Sequence, residues 1–202
     1  MTGLPRRIIK LGGSLLDWPE WPERFEAWLA RQPAAENLVL PGGGSLADAV
    51  REIDALYPLP PVAAHWLCIR AMSIHARQLT ARWPAATLCS RLRALDDAAP
   101  SAGLVFLDPW PILRDEEPQF PGQPLPAGWD VTSDSIAARL AEMATAAELV
   151  LLKSSAVQEG ESLAELSQRG FVDAYFPRAA GAVNRIRCVN LRDEAFTTVS
   201  LR

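Results

Sequence analysis

The sequence is poor in the residues that build metal centres and cross-links. It has two histidines and three cysteines, and Cys68, Cys89 and Cys188 stand far apart with no C-x-x-C among them. That spacing argues against a zinc site or a disulfide framework and for buried free thiols in a reducing compartment. Excess positive charge is also missing. The net charge is −4, which argues against a nucleic-acid partner, since such proteins carry a basic patch or stripe. No apolar run is long enough to span a membrane. Two arginines precede an apolar run at the amino terminus, but Lys10 and Gly12-Gly13 interrupt it before a secretory core forms. A soluble cytoplasmic protein is expected. The Walker signature G-x-x-x-x-G-K-[ST] and the fingerprint G-x-G-x-x-G are both absent, so P-loop and dinucleotide-binding folds fit poorly. No internal repeat, low-complexity tract or clean linker divides the chain.

What is present is the pattern of one α/β domain of 202 residues. Short apolar runs ended by turn residues predict buried strands at Arg7–Leu11, Asn37–Leu40, Leu104–Leu107, Leu149–Leu152, Ile186–Leu191 and Phe196–Leu201. Between them, helical spacing predicts helices at Pro22–Gln32, carrying Phe25, Trp28 and Leu29, and from Ser45, as cap, to Leu56. The second should align Leu46, Ala49, Val50, Ile53 and Leu56 on one face. After a break at Pro58–Pro61, Val62–Trp83 reads as a long helix apolar enough to be largely buried. Ser133 can cap a helix through Ala147, and Ser162–Arg169 and Val172–Ala180 look helical. The proline-rich segment Glu117–Gly128 has no periodicity and reads as a loop over a site. Strands alternating with helices imply a three-layer α-β-α sandwich around a mainly parallel sheet.

Two strands end in glycine clusters that lead towards helices: Lys10-Leu11-Gly12-Gly13-Ser14 and Pro41-Gly42-Gly43-Gly44-Ser45. Glycine lets backbone N–H groups converge on an anion with no Cβ in the way, and a helix N-terminus adds partial positive charge. In a parallel sheet both clusters fall at the carboxyl ends of strands, where ligands bind in open α/β folds. Lys10 places a cation beside the same spot. Either cluster alone is as well explained as a tight strand-to-helix turn; the pair with the lysine favours function.

With these pieces the chain resembles the amino-acid kinase superfamily, which includes acetylglutamate, aspartate, uridylate and isopentenyl phosphate kinases. The resemblance is carried by Lys-Leu-Gly-Gly-Ser at 10–14, the glycines at 42–44, Val-Thr-Ser-Asp-Ser-Ile-Ala-Ala at 131–138 and Leu-Val-Leu-Leu-Lys at 149–153. Their order and spacing agree across essentially the whole chain. The narrower likeness is to the kinase of methanofuran biosynthesis, which converts (5-(aminomethyl)furan-3-yl)methyl phosphate to its diphosphate. It lies in His65-Trp66, in Gly128 to Ser135, in Leu152-Lys153-Ser154 and in Gly170 to Phe176.

The resemblance implies one amino-acid kinase domain over 1–202, with an acceptor half at about 1–130 and a nucleotide half at about 131–202. It implies ATP and Mg²⁺ as donor and cofactor, a small anionic acceptor and a homodimer or higher homo-oligomer. Lys10 would neutralise charge on the transferring phosphoryl group, Asp134 would orient that lysine, and Gly12, Gly13, Ser14, Gly43 and Gly44 would donate to phosphates. Judged without the family, Asp134 is an ordinary acid in a helix's first turn. Lys153, ending a buried strand, is expected to bind ATP phosphates or to pair with Asp134 or Asp130, and the two are compatible. Gly42, Gly43, Asp48, His65, Trp129, Asp130 and Thr132 are the candidates for the acceptor side, with Asp48 or Asp130 facing any amine. No protein side chain is marked out as a metal ligand. A phosphate acceptor needs no general base, because it is largely ionised at neutral pH. The chain departs from the family in being short and in lacking a later Gly-Gly-Met followed by lysine. That departure keeps a non-catalytic nucleotide-binding module of the same fold as the alternative.

Overall fold

Seven strands pair in the order β3-β4-β2-β1-β5-β6-β7 in a computed structural model that describes residues 4–97 and 103–202. Residues 1–3, the first part of the amino-terminal segment read above, lie outside the described residues. In chain order the elements are β1 (Arg6–Leu11), α1 (Gly13–Leu16), α2 (Trp21–Leu29), β2 (Glu36–Pro41), α3 (Gly44–Leu56) and α4 (Pro61–Arg82). Then come β3 (Thr87–Cys89), α5 (Arg93–Asp97), β4 (Leu104–Leu107), α6 (Pro109–Pro111), α7 (Ser133–Met143) and β5 (Glu148–Lys153). The chain ends with α8 (Leu163–Gln168), α9 (Phe176–Ala179), β6 (Ile186–Asn190) and β7 (Thr198–Ser200).

Every pairing is parallel except β6 with the carboxy-terminal β7, which is antiparallel. β1 is flanked by β2 on one side and β5 on the other, so the order of connection reverses at β1, and a crevice opens beyond its carboxyl end. Strand alternation sorts the core into two layers. Ile8, Leu38, Leu40, Leu149 and Leu151 pack against α4 and α7 through Ile69, Met72, Ile136 and Leu140. Ile9, Leu11, Val39, Val150 and Leu152 pack on the opposite face against Trp21, Phe25 and Trp28 of α2. The same period of two places Lys10 in line with Ile8, and Lys153 in line with Leu149 and Leu151. Both lysines therefore surface on the α7 side, on neighbouring strands.

The expected α/β sandwich is present, and the expected strands fall within a residue or two of the observed ones, apart from the much shorter β7. Several local expectations change. Ser45 caps nothing, because the glycine turn runs straight into α3 with Gly43 as N-cap. Of α3 only Ala47 is buried; Leu46, Ile53 and Leu56 are exposed, as are Val62, Leu67 and Ile74 of α4. Helical spacing sets which residues share a face but not whether another element covers it. α7 starts at Ser133 with Thr132 as N-cap, and stops at Met143 because Thr145 turns to φ 48°. The stretch 172–180 is α-helical only at Phe176–Ala179, and a 3-10 turn begins at Ala180. The short β3 and α5 were not foreseen.

The segment 117–128 does not lie over the crevice. Buried Glu117 accepts from the Leu125 amide at 2.9 Å and from Arg139 Nε at 3.2 Å, and the Pro121 carbonyl accepts from Arg139 Nη1 at 2.9 Å. These bonds pin the segment along the flank of α7, and only its end, Gly128, reaches the crevice.

Candidate active site

The carboxyl ends of β1 and β2 feed glycine turns that meet backbone to backbone. A Cβ on Gly13 would stand 2.6 Å from the Gly44 nitrogen, and one on Gly42 would stand 2.6 Å from the Gly13 nitrogen. Gly44 has φ +49°, a conformation that favours glycine. α1 and α3 start from these turns, so the unpaired first-turn N–H groups at Gly13-Ser14 and Gly43-Gly44 share one rim. Gly12 and Gly42 do not take part as expected. The Gly12 amide donates to the Leu152 carbonyl at 2.9 Å, and the Gly42 amide to the Leu11 carbonyl at 2.8 Å. They join strand ends beneath the rim.

Across the crevice, the first turn of α7 delivers Asp134 between the two lysines. Lys10 Nζ lies 2.9 Å from Asp134 Oδ1, and Lys153 Nζ lies 2.9 Å from Oδ2. The first is a charge contact without hydrogen-bond alignment, while the second is an aligned bond. Lys153 also donates to the Phe171 carbonyl at 2.7 Å. Asp130, the other expected partner of Lys153, makes no such pair; its carbonyl accepts from the Tyr175 amide. Lys10 and Lys153 are the only lysines in the sequence.

Burial pushes the Lys10 ammonium down, Asp134 opposes that, and Lys153 adds to it; the balance is a pKa of about 8. Burial pushes the Asp134 carboxyl up, but the two ammoniums outweigh it and hold the pKa at about 2. Two lysine side chains thus share one carboxylate, an arrangement that can receive an anion.

Two cavities meet beside this trio. One, of about 330 Å³, is bounded by Gly13, Gly43 and Gly44, by Asp17, Asp48 and His65, and by Gly128 and Trp129. The other, of about 530 Å³, is bounded by Lys10, Asp134, Lys153, Asp130 and the turn 170–174. Ser14, Arg51, Trp129, Thr132 and Ser133 line both. His65 is buried and its Nδ1 is bonded to the Gly128 carbonyl at 3.1 Å; burial pushes its pKa down. Asp48 is exposed and paired with Arg51. Thr132 directs its hydroxyl to Asp173 Oδ2 at 2.9 Å.

Three contributors were not picked out from sequence. Arg51 stands at the junction of the cavities, 5.8 Å from the Trp129 ring centroid; the helical series Gly44, Ala47, Asp48, Arg51 is the signal that marks its face. His75 of α4 holds the Gly43 carbonyl at 3.1 Å through Nε2. Asp173 caps α7 from a distant loop; the stretch Gly170 to Phe176 carries part of the resemblance, but nothing local in it marks a capping role.

No family model and no curated protein matches the sequence. Solved structures do. A UMP kinase from Ureaplasma parvum superposes with a TM-score of 0.67 at 14% identity, over 99% of this chain and 100% of that one. A UMP kinase from Bacillus anthracis gives 0.63 at 13% identity, over 99% and 97%. A uridylate kinase from Archaeoglobus fulgidus gives 0.58 at 18% identity, over 89% and 88%. The likeness defines the architecture: this chain has the amino-acid kinase fold.

Proposed function

We propose that the chain is an ATP-dependent phosphotransferase that moves the γ-phosphoryl group of ATP onto a small phosphate monoester. The observation that carries the proposal is the pair of lysines sharing buried Asp134 at the junction of two cavities. An acceptor phosphate in the smaller cavity would rest on the N–H rim of Gly13 and Gly43-Gly44. The nucleotide would occupy the larger one, in the half beginning near residue 131, with its phosphates reaching Lys153 and Lys10. An acceptor oxygen attacks the γ-phosphorus, the bond to the β,γ-bridging oxygen breaks, and ADP leaves. Lys10 and Lys153 neutralise the charge that spreads over the transferring oxygens. Asp134 keeps both ammoniums aimed at the junction. No proton need be removed, since the acceptor is already ionised.

The donor set fits a magnesium ion carried by nucleotide oxygens. Asp134 is committed to the lysines and Asp173 to α7, and the described residues hold no cluster of three His, Cys, Asp or Glu side chains. When bound, such an ion would withdraw charge from the phosphate oxygens.

As acceptor we favour (5-(aminomethyl)furan-3-yl)methyl phosphate. The resemblance at His65-Trp66 and at Gly128 to Ser135 supports it, and so do a cavity of about 330 Å³, the planar ring of Trp129 and the carboxylates of Asp17 and Asp48 at the rim. UMP is the second acceptor, favoured by the fold neighbours. A homo-oligomer is supported by the exposed apolar face of α3 and α4, where Ile53, Leu56 and Ile74 are all more than half exposed. ADP release from Mg-ATP, followed across the aminomethylfuran phosphate, UMP, isopentenyl phosphate and small carboxylates, tests the assignment. Turnover only on carboxylates would overturn the monoester class. Nucleotide binding without turnover on any of them would leave the non-catalytic module.

A further inference from the structure

α7 carries Asp134 in its first turn, yet no side chain of its own caps it. Thr132 is the N-cap residue, but its hydroxyl acts as a donor. The acceptor is Asp173, from the loop between α8 and α9. Its Oδ2 receives the Thr132 amide at 3.0 Å, the Thr132 hydroxyl at 2.9 Å and the Ser135 amide at 2.9 Å, and its Oδ1 receives the Ser135 hydroxyl. Four donors on one carboxylate, two of them helix-terminal amides, satisfy the α7 terminus and offset its partial positive charge.

The loop that carries Asp173 is fastened at two more points. The Phe171 carbonyl receives Lys153 Nζ at 2.7 Å, and the Tyr175 amide donates to the Asp130 carbonyl at 3.1 Å. Phe171 and Asp173 are two residues apart, so a closed circuit results. Asp173 holds α7, α7 holds Asp134, Asp134 holds Lys153, and Lys153 returns to the loop through Phe171. Lys10 joins the circuit only through Asp134. The same loop walls the larger cavity.

We propose that Asp173 is a positioning residue for phosphoryl transfer, acting through the first turn of α7 to hold Asp134 where it aims Lys10 and Lys153. The proposal rests on the phosphotransferase reading for its kinetic consequence, but its structural half is measurable without any acceptor. Lys10 is faced by Asp134 from α7 and by Lys153 from β5, and a displaced Asp134 leaves it beside Lys153 alone. Its proton affinity then falls.

With only two lysines in the chain, [ε-¹³C]lysine labelling gives two side-chain signals, and Lys153→Arg assigns them. In the parent protein the Lys10 signal is expected to titrate near pH 8. In Asp173→Asn, the amide group turns an N–H₂ towards donors and weakens the cap. The Lys10 midpoint is expected to fall by at least half a unit. Expected with it is a kcat loss of about 30-fold or more, with KM for ATP and acceptor within about threefold, since a misplacement near 1 Å costs about 100-fold. Should Asp173→Asn fail to fold, Ser135→Ala removes one of the four donors and is expected to move the Lys10 midpoint the same way by less. An unchanged Lys10 titration in a folded Asp173→Asn, or an unchanged kcat, overturns the proposal. Absence of transfer by the parent protein overturns the phosphotransferase reading instead, and the lysine titration still judges the hold of Asp173 on Asp134.

Discussion

Gly13 and Gly44, thirty-one positions apart, press backbone against backbone, with a Gly13 Cβ destined to stand 2.6 Å from the Gly44 nitrogen and 3.0 Å from its Cα. No flexible side chain is there to yield, so any side chain at 13 must part the two turns. Gly13→Ala is expected to reduce kcat/KM by about 100-fold, from a displacement near 1 Å, and to lower the thermal midpoint. Activity within threefold of the parent would show that the rim is not the anion site.

The pH dependence of activity follows from Lys10. On the proposed phosphotransferase reading its cationic form is required, and its pKa of about 8 sits below the usual 10.5. Hence kcat/KM is expected to fall above about pH 8. Bound phosphate favours the cation and raises its pKa, so the kcat limb should lie at higher pH. Coincident limbs would contradict a role for Lys10 against phosphate. Stability moves the other way: between about 8 and 10.5 the unfolded chain binds more protons than the folded one, so this residue favours folding increasingly as pH rises through that window.

Asp134 gives the acid counterpart. Its folded pKa of about 2 is below the ordinary 3.8, so the stabilisation is present above pH 3.8 and is lost as pH falls through about 2. Asp134→Asn leaves the buried Lys10 ammonium and the partly buried Lys153 ammonium uncompensated. A loss of about 3–5 kcal/mol is expected from urea unfolding at pH 7, with Lys10 losing its proton at lower pH. A loss below about 1 kcal/mol would mean that the trio is not the tightly coupled unit described.

Arg51, on α3, is the third cation at the junction of the two cavities, and on the proposed reading it faces the acceptor. Arg51→Ala removes one charge-assisted donor, of about 1.5–3 kcal/mol, and so is expected to lower acceptor kcat/KM by about 10- to 100-fold. The KM for ATP should change less than threefold. Equal effects on both substrates would place Arg51 outside acceptor recognition.

The architecture was largely legible because buried parallel strands are written as unbroken apolar runs, such as Leu38 to Leu40 and Leu149 to Leu152, closed by glycines or a lysine. The trio was legible in part. Lys10 and Lys153 stand out as charges ending apolar runs, but Asp134 alone looks like any first-turn acid. Asp173 was hidden because its four partners come from a helix about forty residues upstream. Thr132 and Ser133, which look like local caps, disguise its role. Local periodicity also does not report what covers a face: Leu46, Ile53 and Leu56 share a side of α3 that stays exposed among the described residues. Segment 117–128 was misplaced because proline content reports irregular backbone, not the partner that pins it. Here that partner is Arg139, a buried cation inside an amphipathic helix.

The most direct measurement is ³¹P NMR of Mg-ATP with the aminomethylfuran phosphate, and in parallel with UMP, in the presence of the parent protein and of Lys10→Ala. The expected result is loss of the γ-resonance with simultaneous growth of ADP and of an acceptor diphosphate, at a rate reduced at least about 1,000-fold in Lys10→Ala. Undiminished transfer by Lys10→Ala, or ATP unchanged beside every phosphate monoester offered, would contradict the central claim that the paired lysines assist phosphoryl transfer from ATP to acceptor at the junction of the two cavities.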